Sequence, residues 1–356
     1  MNKSLLNAFF LAQISLILLI YSERLISATS STHWKPLLVS YVISGVFLYM
    51  YFKGLSLFPA MDIIQITSSV VGKWIARILF LPFTLYFFIY LVTVPRHHAQ
   101  LLVITFHPTF PIWTLLLPTL LILMFGAILG IHAIIRASLI VSILCIPFFL
   151  LTFSACLQNV DFHYALPLWN DKFSFLQSPD FYSCFISFSS FLFLGLVPSK
   201  QNIGMPRLRY LLITYAALLP FYLLAAYLPI TLYGVKSASK LKFPMVSVMD
   251  TINISWLFFD RITIFYVLMA LISSYVYGAI SLWAMTTVIH KLYISMNKTI
   301  ITAVLTLGIF ILGIWIPTLS SIDTLYGLNS IPTLTCMLGL PLGILIMAGI
   351  KRREAR

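Results

Sequence analysis

Residues 262–289, ITIFYVLMALISSYVYGAISLWAMTTVI, form one continuous run without a charged side chain. A helix needs about 20 apolar residues to cross the hydrocarbon core of a bilayer, so this run can span it and also tilt or continue beyond it. The rest of the chain has the same character: of its 356 residues, 61% are hydrophobic and 9% are charged, against about 25% charged in a soluble domain. These proportions exclude a soluble globular domain, a disordered chain and a disulfide scaffold.

Further apolar stretches of similar length predict ten membrane-spanning helices in all. No stretch shows the alternation that is typical of a membrane β-barrel, so the expected fold class is an all-α polytopic membrane protein. Residues 1–356 are expected to form a single transmembrane domain. Two segments between spans, 60–74 and 244–250, predict short helices at the membrane surface. The ten predicted spans are 5–21, 36–52, 78–95, 111–131, 137–157, 181–198, 210–233, 262–289, 299–319 and 331–350.

The basic residues predict the orientation of the chain in the membrane. With ten spans both termini lie on one side, and cytoplasmic segments normally carry the excess of Lys and Arg. If both termini are cytoplasmic, the inner segments hold 14 of the 22 basic residues and the outer segments hold 8. We therefore expect cytoplasmic termini. The net charge of +13 then reflects topology and contact with anionic membrane lipid, and it does not indicate a nucleic-acid partner.

The sequence contains no recognisable set of catalytic residues. Its four cysteines have neither CxxC spacing nor a metal-ligand pattern and are expected to be packing residues without a disulfide. His97 and His98 beside Arg96 predict a polar belt at the outer end of the third span. The nine acidic residues all lie outside the interior of the apolar runs, so no carboxylate is available there for ion coupling. We expect no enzymatic activity, no cofactor and no metal site.

Polar side chains inside the spans are the candidate ligand-binding groups. Four serines fall within eight residues of the sixth span, where they weaken the helix and offer hydroxyls. The ten-span count permits a five-plus-five inverted repeat, in which spans one and six are broken and bind the ligand near the midplane. The expected ligand-binding residues are Gln13, Ser15, Tyr90, Ser187, Ser189, Ser190, Ser274 and Tyr275, and Asp260 with Arg261 is the expected outer gate or charge pair.

Each of these residues also has a purely structural interpretation. Any one serine can bond back to its own helix or make a helix–helix contact. Asp260 can act as an acid at the positive start of the eighth span, with Arg261 as an interfacial cation. The spacing of the residues leaves both interpretations open.

Short motifs from Gln13 to Arg261 point to a known family. They are Gln13-Ile14, Pro108–Trp113, Gly130–Arg136, Leu166-Pro167-Leu168, Phe188–Pro198, Phe243-Pro244 and Phe259-Asp260-Arg261. In order and spacing they resemble the spore germination permease family, the B-type subunits of nutrient germinant receptors in endospore-forming bacteria. The resemblance implies the fold of the amino acid–polyamine–organocation superfamily, which is similar to that of the leucine transporter.

The resemblance also implies a function. It implies a germinant-sensing subunit in the spore inner membrane, which binds a small nutrient such as an amino acid or neutral solute within the helix bundle. The implied partners are an A-type subunit and a lipoprotein C-type subunit, and the implied output is ion release from the spore core. The alternative is a secondary amino-acid transporter of the same fold. The scarcity of carboxylates in the spans favours the sensor.

The sequence departs from the family pattern at three places. Ser15 and Ile17 stand where the family has glycines in span one, and Ser189-Ser190-Phe191 stands where span six usually has Gly-Phe-Glu. Thr263 replaces an aspartate of the later motif. Loss of the glycines makes unwinding of span one harder, because glycine tolerates irregular backbone. Loss of two acids predicts a neutral nutrient or an apolar amino acid as the ligand.

Overall fold

The structure is a computed structural model that describes residues 2–58, 61–106, 108–167, 169, 173–197, 206–252 and 262–354. Within these ranges the chain is built of helices and connecting segments, and no strand occurs in them. Nine of the described helices are long and apolar enough to cross a membrane. The segment Asn2–Ala28, which changes geometry midway, occupies the position of the first predicted span. The chain is therefore an integral membrane protein of the expected all-α class.

The helices follow the order of the predicted spans. Their bounds are Asn2–Leu16, Ile17–Tyr21 and Ser22–Ala28 (span 1), Trp34–Ser56 (span 2), Leu81–Phe106 (span 3), Ile112–Leu129 (span 4), Ile131–Cys156 (span 5), Pro179–Cys184 and Phe185–Leu196 (span 6), Leu208–Ala216 and Leu219–Tyr233 (span 7), Thr263–Val288 and Ile289–Tyr293 (span 8), Lys298–Trp315 (span 9), and Leu319–Leu328 and Ser330–Glu354 (span 10).

Burial separates the spans into a central and a peripheral group. In its most apolar stretch, span 6 has 83% of its residues buried, and spans 3 and 8 each have 72%. The same measure is only 28% for spans 4 and 9. Because helices that are apolar on all sides but exposed must face lipid, spans 4 and 9 form part of the outer ring. The core therefore lies around spans 3, 6 and 8, with span 1 packed between them.

Spans 1 and 6 both depart from α-helical geometry at mid-length. Span 1 passes through a π-helical turn at Ile17–Tyr21 and keeps helical dihedral angles there, so it does not unwind. The lack of a glycine in this turn accounts for the difference from a broken helix. Span 6 becomes a 3₁₀-helix over Phe185–Leu196, far longer than the usual three or four residues. Side chains from other spans bond the carbonyls of Ser187 and Leu192, which helps to support this geometry.

We call the end of the bundle that carries both termini the inner end and the opposite end the outer end. The outer half of span 3 differs from the prediction. The helix does not end at Pro95 but continues to Phe106, and Arg96, His97 and His98 are only 2%, 4% and 2% exposed. The expectation of an interfacial belt is therefore wrong. Neighbouring segments cover these side chains: the His97 ring packs 4.8 Å from the Phe243 ring, and Arg96 Nη2 donates to the carbonyl of Ile316 at 3.2 Å.

The boundary between spans 9 and 10 also shifts. Span 9 ends at Trp315 instead of residue 319, and Leu319 begins the outer helix of span 10. Pro317 interrupts the chain between them, and the Thr318 hydroxyl accepts a hydrogen bond from the Ser321 amide at 3.2 Å as the new helix begins. Span 10 is consequently two helices, which meet at Asn329.

Both predicted surface segments contain helices. The inner one runs over Ile63–Leu79 and starts with a capping box, in which the Asp62 carboxylate accepts from the Gln65 amide at 2.9 Å. It bends at Gly72, whose φ of +81° is readily available only to glycine. Lys291 at the inner end of span 8 pairs with Asp62 and holds the helix in place. The outer surface helix, Pro244–Asp250, has the predicted bounds.

A tight contact at Gly195 gives a stability prediction. A Cβ added there would overlap the Tyr51 hydroxyl and lie 2.9 Å from the Tyr51 Cζ and 3.3 Å from the Ile63 Cβ. We expect Gly195→Ala to lower the free energy of unfolding by about 1–3 kcal/mol, because a packed core has no room for the extra methyl group. Thermal unfolding in detergent micelles measures this loss.

The matched control is Gly339→Ala in span 10. A Cβ at Gly339 meets no atom of the described residues within 4 Å, and alanine favours helix over glycine. This variant should be as stable as the wild type or slightly more stable. Equal unfolding temperatures for the two variants would contradict the close packing of span 6 against span 2.

Candidate functional site

The side-chain amide of Gln13 links three spans at the centre of the bundle. Its Nε2 donates to the Ser187 carbonyl at 2.8 Å and to the Tyr222 hydroxyl at 2.6 Å. Its Oε1 accepts a hydrogen bond from the Ser190 hydroxyl. The Tyr222 hydroxyl in turn donates to the Ser187 carbonyl at 2.8 Å. Gln13 is fully buried, so these bonds join spans 1, 6 and 7 away from water.

A second group of hydroxyls joins spans 3, 6 and 8. The Tyr86 hydroxyl lies 2.6 Å from the Ser189 hydroxyl and 2.7 Å from the Tyr277 hydroxyl. Ser189 also donates to the carbonyl of Ile186 at 2.6 Å, within its own helix. Because both phenols are completely buried, their hydroxyls need partners inside the protein, and each supplies one to the other.

A third group of polar residues, Tyr90, His98 and Ser274, lies between spans 3 and 8. The Ser274 hydroxyl lies 3.5 Å from Nδ1 of His98, so the buried histidine is connected to the same group. The rings of Tyr90 and Tyr277 are edge to face at 5.0 Å, which joins this group to the second one.

The structure therefore brings together six of the eight predicted ligand-binding residues. Gln13, Ser187 and Ser190 share one group, Ser189 belongs to the second, and Tyr90 and Ser274 belong to the third. The Ser15 hydroxyl instead bonds the Ala12 carbonyl of its own helix. Tyr275 instead points to span 4, where its hydroxyl lies 3.4 Å from that of Thr119, because successive residues of a helix project about 100° apart. The ligand-binding role of these residues stays a prediction.

Sequence reasoning missed three tyrosines at this centre. Tyr86, Tyr222 and Tyr277 are fully buried and bond to predicted site residues or to one another. Each stands inside an apolar span, where a phenol needs a buried hydrogen-bond partner. That requirement could have marked these three tyrosines as candidate site residues. The sequence could not show which way each ring points.

A network of five charged residues lies on the outer side of this centre. Arg24 at the end of span 1 bonds Asp180 of span 6 and Asp323 of span 10, each at 3.1 Å. Lys242, from the outer segment between spans 7 and 8, lies 3.3 Å from Glu23 and also pairs with Asp323. Burial by itself lowers the pKa of Lys242, but Asp323 and Glu23 outweigh this effect and raise it above its ordinary value.

The network covers a small cavity of about 10 Å³, between spans 1, 3 and 10. Arg24 and Asp323 are 299 positions apart in the sequence, so only the fold reveals their pairing. The predicted gate residues Asp260 and Arg261 lie outside the described residues. The cavity is lined by Ile20, Glu23, Arg24, Thr93, His97, Ile322, Asp323 and Tyr326.

The described residues contain no group of three His, Cys, Asp or Glu side chains that could hold a metal ion. The four cysteines are buried free thiols. Burial in apolar surroundings lowers the reactivity of a thiol, so packing is the expected role of these residues.

The arrangement of the helices places the chain among membrane proteins with the leucine-transporter fold. The structure is similar to MhsT in complex with L-phenylalanine, with a TM-score of 0.66, 13% identity, and coverage of 96% of this chain and 97% of that chain. It is also similar to a Na⁺-coupled sialic acid symporter, with a TM-score of 0.57, 14% identity, and coverage of 93% and 78%. These likenesses confirm the expected fold class.

The family follows from the sequence itself. Residues 4–321 match the spore permease family model, which is described as spore germination protein. The chain therefore belongs to the spore germination permease family, as its motifs indicated. Among curated proteins, none matches this sequence.

Proposed function

We propose that this chain is the nutrient-sensing subunit of a spore germination receptor in the spore inner membrane, with both termini on the core side. The observation that carries the proposal is the centre of the bundle. Hydrogen bonds of Gln13, and of Ser189 with Tyr86 and Tyr277, join spans 1, 3, 6 and 8 there through uncharged groups, and no described carboxylate takes part. Such a centre suits a net-neutral nutrient that is held by hydroxyls, amides and backbone groups.

The proposed signal is a shift between two arrangements of the bundle. The nutrient enters from the outer side, where Arg24 and Asp323 hold spans 1 and 10 together, and it stabilises the arrangement that accommodates it. An A-type subunit and a lipoprotein C-type subunit read this shift, and ion release from the spore core follows. A ligand can drive such a shift only by as much as its affinity differs between the two arrangements.

The second candidate function is secondary transport of an amino acid. The likeness to MhsT, whose structure contains L-phenylalanine, favours it, because the two chains share the fold over nearly their whole length. Fold alone does not determine function, and the uncharged centre offers no described carboxylate for ion coupling.

Two measurements separate these functions. The first is germination of spores in which this chain belongs to the only nutrient receptor, tested with neutral, cationic and acidic amino acids one at a time. We expect a response to at least one neutral compound and its loss when the chain is deleted. Germination that is unchanged by the deletion would overturn the sensor. A strong preference for a cationic compound would contradict a neutral ligand.

The second measurement is uptake of the same labelled compound by liposomes that contain the purified chain alone. The sensor predicts binding without concentrative uptake. Uptake that is driven by an ion gradient would establish the transporter instead.

A further inference from the structure

Among the described residues, several buried hydrogen-bonding groups without a partner lie at the break in span 10. Asn329 is fully buried, yet neither Oδ1 nor Nδ2 has a partner. The Tyr326 hydroxyl, one helical turn earlier, is also buried without a partner. So is the hydroxyl of Ser187 in span 6. Buried polar groups in proteins are nearly always paired, so this set needs an explanation.

The three side chains lie on segments that contact one another. Tyr326 belongs to the helix Leu319–Leu328, which contacts the helix Pro179–Cys184 of span 6, and Ser187 follows Cys184 by three residues. Asn329 follows Tyr326 by three residues through helical backbone, so it projects from the same face of span 10. Both helices of span 10 contact span 6, to which Ser187 belongs. The unpaired groups therefore lie between the break of span 10 and the 3₁₀ segment of span 6.

The polar groups around Gln13 are paired, whereas the Tyr21 hydroxyl and His97 Nδ1 are also buried without a partner among the described residues. Gln13 makes three hydrogen bonds, and the hydroxyls of Ser189 and Ser190 each have a partner. An unpaired buried group loses its hydration without compensation, which destabilises the folded protein. Groups that are kept at such a cost are commonly functional, because a ligand supplies the missing partners.

We propose that Ser187, Tyr326 and Asn329 bind the polar end of the nutrient, so that span 10 forms part of the ligand site. This inference rests on the proposed sensing function. One amide and two hydroxyls provide donors and acceptors together and carry no charge. The set therefore selects a net-neutral solute that both donates and accepts hydrogen bonds, with its acceptors towards Asn329 Nδ2 and its donors towards Asn329 Oδ1.

Access to this site depends on the outer charge network. The cavity that Tyr326 lines has a volume of about 10 Å³, room for roughly a single water molecule. The Arg24 guanidinium lies 5.4 Å from the centre of the Tyr326 ring and pairs with Asp323 one turn away. A nutrient reaches Asn329 only when the outer helix Leu319–Leu328 moves away from span 1. Ligand binding at span 10 thus separates the two spans that Arg24 joins.

The test uses the variants Tyr326→Phe and Asn329→Leu of the full-length chain, purified in micelles. Thermal unfolding of each protein is measured without ligand and then with L-alanine, L-valine, L-asparagine, L-lysine or L-glutamate. Without ligand, both variants should unfold at or above the wild-type temperature, because they remove unpaired groups. One of the neutral compounds should stabilise the wild type. Each variant should need about a tenfold higher concentration of that compound for the same rise in unfolding temperature. Ser187→Ala, the smallest change, should show the same loss of affinity.

The matched control is Tyr51→Phe, which removes a buried hydroxyl that donates to the Leu192 carbonyl at 3.1 Å. This variant should unfold at a lower temperature and keep wild-type affinity. Wild-type affinity in all three site variants would overturn the inference while leaving the sensing function intact. A lower unfolding temperature in Tyr326→Phe and Asn329→Leu would also overturn it, since those groups would then have structural partners. A wild-type chain that no compound stabilises would overturn the sensing function itself.

Discussion

Replacing Arg24 with glutamine is expected to lower the free energy of unfolding by about 3 kcal/mol and to open the outer side of the bundle. The Arg24 side chain is only 12% exposed and bonds Asp180 and Asp323 together. Its removal leaves two carboxylates close to each other with one cation fewer. Because the uncompensated charges are partly buried, the loss exceeds that of an ordinary surface ion pair.

Opening can be measured with a cysteine placed at Thr93, which lines the cavity beneath the network. The native cysteines are buried, so they add little background to labelling by a water-soluble thiol reagent. We expect labelling of Thr93→Cys to be at least about tenfold faster when Arg24→Gln is present, because exposure of a buried thiol follows the population of the open state.

The control for this prediction is Lys242→Gln. Lys242 belongs to the same network, but its side chain is 50% exposed, so its pairs with Glu23 and Asp323 should contribute under about 1 kcal/mol. Its removal should change labelling little. If the two substitutions have equal effects, Arg24 does not hold spans 1, 6 and 10 together.

Replacing Gln13 with leucine is expected to lower the free energy of unfolding by about 2–4 kcal/mol and to abolish the response to the nutrient. Leucine fills a similar volume, so packing is largely retained. It removes the donor to the Ser187 carbonyl and leaves the fully buried Ser190 hydroxyl without its acceptor. Spans 1 and 6 then lose their central connection. Unfolding in micelles and germination of spores that carry the variant check the two effects.

Ser15→Ala is the matched control, because Ser15 lies two residues away and is also buried. Its hydroxyl donates to the Ala12 carbonyl of its own helix at 2.8 Å. A hydroxyl that bonds back to its own helix adds little to stability, so the free energy of unfolding should change by less than about 1 kcal/mol. The double variant Gln13→Leu with Ser190→Ala should recover part of the loss, since it removes both partners of one bond. Full additivity would contradict a direct Gln13–Ser190 bond.

Much of the architecture could be predicted from the sequence. Apolar length gave the order of the spans, and the surface helix Pro244–Asp250 has its predicted bounds. The errors lie where local pattern and packing compete. Pro95 suggested the end of span 3, but neighbouring segments pack around Arg96 and His97 and the helix continues. Pro317 marks a true boundary that the apolar run around it concealed.

The candidate site was predictable only in part. Gln13 and the serines of span 6 stand out because polar groups are rare in these spans, and they do meet. Tyr275 was included because it is a polar residue inside an apolar span, but the rotation of the helix turns it towards span 4. The sequence of a nearly uniformly apolar helix does not show which face points to the protein interior. Lipid and protein interior both favour apolar side chains, so no periodic pattern distinguishes the two faces.

The amino-acid sequence by itself determined the membrane setting, the order of the spans and the family. Hydrocarbon accepts only long apolar helices, so length and charge are sufficient evidence for these properties. The tertiary structure alone decided which polar groups are paired: Arg24 with Asp323, Gln13 with Ser190, and Asn329 with none. Those outcomes depend on contacts between residues that are far apart in the chain and on the rotation of each helix, and neither is encoded in local spacing.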